Sequence, residues 1–125
     1  MRQEINLADI INIIKEAAQK YLLPNFARVK ARYKDDSSIV TLADLETQKF
    51  IKNKLTQKYP EITLLGEEMS KSEQISILNS QTSFWCLDPI DGTSNFAAGL
   101  PFFSISLALI EQGTVTATVI YDPIT

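Results

Sequence analysis

The chain has 125 residues, 45% of them apolar and 22% charged, with a formal net charge of −3. That composition excludes a disordered tail or a fibre and fits one globular domain with a modest core, and the acidic balance lacks the Lys and Arg excess that holds a phosphate backbone, so neither nucleic acid nor an anionic membrane is expected as a partner. Histidine is absent, which removes the commonest general base and the commonest transition-metal ligand together, so hydrolytic chemistry would have to run on carboxylates, hydroxyls and hard cations.

Met1 to Glu4 lead straight into an amphipathic pattern rather than an apolar targeting core, and the apolar stretches around Ile10–Ile14 and Ile105–Ile110 fall far short of the roughly 20 residues that span a bilayer. No membrane span and a cytoplasmic location are the expectations. Leu7, Ile10, Ile11, Ile14, Ala17, Ala18, Tyr21 and Leu22 recur at helical spacing, with Asn6 as N-cap and Asp9 favourable to the helix N-terminus. Pro24 predicts a kink or an end near Leu23. Lys30 to Ser38 is polar and aperiodic, a loop, and Ile39-Val40 begins a return to order. A second helix follows Thr41, with Leu45, Phe50, Ile51 and Leu55 as its apolar positions, and Tyr59-Pro60 ends it.

Ile62 to Leu65 reads as a short strand stopping at Gly66-Glu67-Glu68, and Lys71 to Thr82 as a polar connector. Phe84-Trp85-Cys86-Leu87 is an apolar run broken at Asp88-Pro89, with Cys86, the single cysteine, in the core. Ile105, Leu107 and Leu109 alternate with Ser104, Ser106 and Ala108, as Val115, Ala117, Val119 and Tyr121 do with Thr114, Thr116 and Thr118, and Glu111-Gln112-Gly113 joins the two strands as a hairpin. Two helices before a mainly antiparallel meander predict an α+β domain over 1–125, helices packed on one sheet face. The sequence stops just past a strand with no terminal helix or polar cap to close the sheet edge, an ending that a natural domain rarely has.

Three constellations carry possible chemistry. In Asp88-Pro89-Ile90-Asp91-Gly92-Thr93, proline stiffens a bend that can aim two carboxylates at one point, a hard-oxygen set suited to Mg2+. Gly92 permits close backbone approach, and a short helix from Thr93 would present the amides of Gly92, Thr93 and Ser94 to a phosphate. The bland alternative is an Asp-Pro turn followed by Asp-Gly on the surface. Gly66-Glu67-Glu68 by itself reads as a solvated acidic turn, and Thr41-Leu42-Ala43-Asp44 as a helix-capping pattern.

Extended to Trp85-Cys86-Leu87-Asp88-Pro89-Ile90-Asp91-Gly92-Thr93-Ser94-Asn95-Phe96, the string resembles the signature of the inositol monophosphatase family. The resemblance implies that Glu67, Asp88 and the Ile90 carbonyl hold one Mg2+, and that Asp88 with Asp91 holds a second. It implies that Asp44, in Val40 to Asp44, pairs with Thr93 to take a proton from water, and that Glu67, Ile90, Asp91, Gly92, Thr93 and Ser94 contact a small phosphorylated substrate. Lys34 would lie in a loop over the site, and Asn95, Phe96, Pro101 and Phe102 would serve packing and turns.

The family's second half, with the Trp-Asp motif that completes one metal site, has no counterpart here. The expectation is therefore a lithium-sensitive, magnesium-dependent phosphatase of inositol monophosphate, a homodimer when complete and inactive as this piece. Fructose-1,6-bisphosphatase, 3'-phosphoadenosine phosphatase and histidinol-phosphatase activities remain rivals, as does a non-catalytic interaction module retaining the fold.

Overall fold

Asn6 opens the first helix as its spacing predicts: its Oδ1 accepts the amides of Ala8 and Asp9 at 3.0 and 3.4 Å. The Asn6 amide is itself fixed, donating to the Tyr59 hydroxyl at 2.9 Å, and Lys58 Nζ meets Asp9 Oδ2 at 2.8 Å. The computed structural model describes residues 4–30, 37–66, 69–79 and 82–125. Lys34, Glu67 and Glu68 lie outside the described residues.

The helix does not end near Leu23. α1 (Leu7–Ala17) passes through a π-helical turn (Ala18–Leu22) into α2 (Leu23–Lys30). Proline inside a helix lacks an amide and crowds the carbonyl four residues back. Here the wider turn, closed by Leu23 N–H on the Ala18 carbonyl, comes immediately before Pro24 and relieves that crowding. Asn25 Nδ2 then takes the Tyr21 carbonyl at 2.6 Å. Ile10, Ile14, Ala17, Ala18 and Leu22 are buried, whereas Leu7 and Ile11, one turn apart, stay exposed along one edge of the stripe.

α3 (Ser37–Lys58) begins before Thr41, so that residue is helix interior rather than an N-cap. The packed stripe explains the early start: Ile39, Val40, Ala43, Thr47, Ile51 and Leu55 are all buried at three- and four-residue spacing. Leu45, assigned to that stripe by its apolarity, falls on the other side and is 44% exposed. β1 (Thr63–Gly66) starts one residue later than Ile62. The supposed connector contains α4 (Lys71–Asn79). Ser70 Oγ accepts the Glu73 amide at 3.2 Å and donates to Glu73 Oε1 at 2.9 Å, a Ser-x-x-Glu cap that starts a helix despite its having no buried side chain.

β2 (Phe84–Asp91), α5 (Thr93–Ala97), β3 (Ser104–Glu111) and β4 (Thr114–Tyr121) complete the fold. The strands form one sheet in the order β1-β2-β3-β4. β1 and β2 are parallel, a pairing that needs the crossover α4 supplies, and the other pairs are antiparallel. α1, α2, α3 and α5 cover one face, burying Leu64, Trp85, Leu87, Ile105, Leu107 and Leu109 with them, whereas α4 adds no residue to this core. Strand alternation sends Cys86 to the opposite face, where it is exposed rather than in the core.

The hairpin turns on Gln112 and Gly113 at φ 52° and 77°, the paired positive values of a two-residue type I′ turn. A second departure from simple alternation follows it. Leu109 pairs with Ala117 but Ile110 with Val115, so one extra residue on β4 turns Val115 out, 59% exposed.

Phe26 of α2, Phe96 of α5 and Phe103 form a triangle with ring centroids 4.8 to 5.5 Å apart. Phe96 is fully buried as expected, while Phe102 is 68% exposed and so does no packing. This cluster ties the short α5 to the helical layer. Phe96→Ala should therefore lower the unfolding free energy by about 3–5 kcal/mol, the usual effect of emptying a buried aromatic site. Urea denaturation checks this, and a loss under about 1 kcal/mol would mean that the cluster does not anchor α5.

Candidate active site

Side chains three apart on a regular strand point to opposite faces. Asp88 and Asp91 escape that rule. Asp88 pairs with Ser106 and Asp91 with Ser104, so three steps along β2 oppose two along β3, and the extra residue returns both carboxylates to one face. Pro89, which has no amide to give to a ladder, sits inside this bulge, where that lack is tolerated. β2 thus continues through Asp88-Pro89 instead of breaking there. Ser106, the pairing partner of Asp88, donates through Oγ to Asp91 Oδ2 at 3.4 Å. Sequence reading passed over Ser106 as one polar residue of an alternating strand, since only the register shows what it faces.

Burial pushes the Asp88 carboxyl above its ordinary pKa, the Asp91 charge pushes it further, and the Ile90 amide opposes both. Asp88 Oδ1 is buried with no hydrogen-bond partner among the described residues. An unfilled carboxylate oxygen next to a second acid calls for a cation. The hard-oxygen donors suit Mg2+, and the site as described fits that ion.

After the bulge the chain turns at Gly92, where φ is 93° and a Cβ would stand 2.7 Å from the Phe102 carbonyl oxygen. Both facts require glycine. Thr93 and Ser94 are exposed in the first turn of α5. Thr93 Oγ1 donates to the Ile90 carbonyl at 2.9 Å rather than to Asp44, joining the two ends of the turn. Asn95 Nδ2 donates to the Phe102 carbonyl at 3.0 Å, a turn-holding role as anticipated. Asp44 is half-buried on α3, which packs against β2 and α5.

Asp88, Ile90, Asp91, Gly92, Thr93 and Ser94 are therefore gathered in one bulge and turn, with Asp44 on the helix behind. Glu67 is outside the described residues. The parallel ladder ends at Gly66 opposite Leu87, one residue short of Glu67 and Asp88 on both strands. No cluster of three or more metal-binding acids is complete among the described residues.

A family model for inositol monophosphatases matches residues 3–125. The chain belongs to the inositol monophosphatase family. Among its relatives, the inositol monophosphatase of Dictyostelium discoideum is 34% identical over 119 residues, covering 94% of this chain and 43% of that protein. A fructose-1,6-bisphosphatase/inositol-1-monophosphatase of Thermotoga maritima is 39% identical over 94 residues, 75% of this chain and 33% of that one. The crystal structure of inositol monophosphatase II from Staphylococcus aureus superposes with a TM-score of 0.73 at 29% identity, over 94% of this chain and 42% of that one. The chain thus spans less than half the length of these inositol monophosphatase relatives.

The acid pair makes a pH prediction for the chelator-treated chain. A carboxyl whose folded pKa is raised binds its proton more tightly in the native state, so its contribution favours folding at low pH and is lost as pH rises from the ordinary aspartate value through the raised one. Asp88→Asn should remove that loss, giving a smaller fall in Tm between pH 4 and 7 than the parent shows. An unchanged slope would mean that Asp88 is not strained in the empty site.

Proposed function

We propose that the residues of this chain serve Mg2+-dependent hydrolysis of a small phosphate monoester, with inositol monophosphate the foremost candidate. The observation that carries the reading is the bulge that turns Asp88 and Asp91 to one face, directly before the Gly92–Thr93 turn. When bound, Mg2+ would supply the positive charge that keeps the acids ionised, makes water a nucleophile near neutral pH and stabilises the departing oxygen.

Asp88, Glu67 and the Ile90 carbonyl would hold one ion, and Asp88 with Asp91 a second. Thr93, its proton committed to Ile90, keeps lone pairs to orient the attacking water. Asp44 would be the acid that draws off the proton this water loses. Gly92, Thr93 and Ser94 would face the phosphate with backbone amides, close approach being possible because Gly92 has no side chain. Lithium competing for the second cation position, a homodimeric complete enzyme and a cytoplasmic location belong to the same reading and rest on the family resemblance and composition.

The relatives' names support a sugar or inositol phosphate as substrate class without choosing between them. A fructose bisphosphate is the second reading, favoured by the Thermotoga relative that carries both activities in its name. Because only two of the second ion's ligands come from this chain, phosphate release from inositol 1-phosphate by residues 1–125 alone should not exceed a metal-free blank.

Steady-state assays in a family-length protein carrying these residues test the roles. Asp91→Asn should abolish turnover with the fold intact, and Thr93→Ala should lower kcat by about 100-fold or more while the Mg2+ dependence stays put. An Asp91→Asn enzyme that keeps most of its activity would remove Asp91 from the centre, and equal loss of kcat and Mg2+ affinity in Thr93→Ala would contradict the water-orienting role.

A further inference from the structure

On the antiparallel ladder Asp91 stands opposite Ser104, and Asp88 opposite Ser106. The hydrogen bond to the Asp91 carboxylate does not follow that pairing. Ser106 Oγ donates to Asp91 Oδ2 at 3.4 Å, a diagonal contact from the residue that faces Asp88. A carboxylate held from that position leans back along β2 towards Asp88 rather than away from it. Repulsion between the two acids favours the opposite arrangement, and Asp91 is exposed, so its side chain is free to turn into solvent unless a partner fixes it. Ser106 is half-buried and lines the same depression as Asp88 and Ile120. A hydroxyl has one proton to give. Given to Oδ2, it leaves Oδ1 of Asp91 open to an ion.

We propose that Ser106 is a positioning residue for the cation site: its hydroxyl holds the Asp91 carboxylate beside Asp88 before the ion arrives. The inference rests on the metal reading given above. Ser106 acts through Asp91 and does not touch the ion. Hydrogen-bond partners behind metal ligands typically account for about 10–100-fold in metal affinity, and a long, partly exposed bond places Ser106 at the lower end of that range.

Two measurements on this chain test the role. Without metal, the three-bond proton couplings of the Asp91 side chain report whether it keeps one χ1 rotamer. They should show one rotamer in the parent and in Ser106→Thr, and averaging in Ser106→Ala and Ser106→Val. Valine matches threonine in shape and lacks the donor, so a packing role would not separate those two. With Mn2+, the electron paramagnetic resonance signal of the free ion gives the affinity. Ser106→Ala and Ser106→Val should bind about 10-fold more weakly than the parent, and Ser106→Thr like the parent. The metal-free Tm of Ser106→Val should be no lower than the parent's, because a β-branched residue suits a strand. Averaged Asp91 couplings in the parent, folded alanine and valine variants that bind Mn2+ like the parent, or a threonine variant as weak as the valine one would each overturn the proposal while leaving the metal site standing. A parent chain that keeps Asp91 in one rotamer yet binds no Mn2+ at millimolar concentration would instead overturn the metal reading, and with it the role given to Ser106.

Discussion

One extra residue in β2 governs the site. Without the bulge between Asp88 and Asp91, strand geometry would send one carboxylate to the open face and the other into the helical layer, where an unpaired charge is excluded. With it, both acids reach the open face, and Ser106 across the ladder touches the second. The bulge also buries Ile90 completely, so its side chain pins the loop from below while its carbonyl stays available to Thr93. Function-bearing geometry and core packing are therefore the same event.

Holding two like charges together has a consequence that the rest of the fold absorbs. Asp88 is driven towards its protonated form, because burial and a neighbouring negative charge both disfavour its ionised form. The turn that follows is fixed from three sides: the Gly92 backbone against Phe102, the Asn95 amide on the same carbonyl, and Phe96 in the aromatic triangle with Phe26 and Phe103. A five-residue helix has little stability of its own, so α5 keeps its direction through these tertiary contacts. That is why a remote residue such as Phe26 matters to the site.

Much of this was readable in the residues. Asn6 as a cap, the inward faces of β3, the Gln112-Gly113 turn and the string from Asp88 to Ser94 all depend on local chemistry that sequence displays directly. What escaped depends on partners far along the chain. Cys86 looked like core within an apolar run, and Val115 looked like one member of an alternating set, but which face each occupies is fixed by sheet covering and by the β4 bulge. Leu45 was misplaced because Ile39 and Val40 start the α3 stripe earlier than the polar residues before them suggest. Pro24 read as a kink or an end, and it left the choice open because a π-helical turn leaves no local signature. The α4 helix is a different case, since Ser70 and Glu73 stood in view as a cap.

The central claim is that the β2 bulge delivers both Asp88 and Asp91 to one cation site. Carboxyl carbon NMR of the chain during Mn2+ titration tests this most directly, because paramagnetic broadening falls off steeply with distance from the ion. The account predicts that the Asp88 and Asp91 signals broaden together at substoichiometric Mn2+, ahead of exposed acids such as Glu61 and Glu73. Broadening of only one of the pair, or of neither before the surface acids, would contradict it.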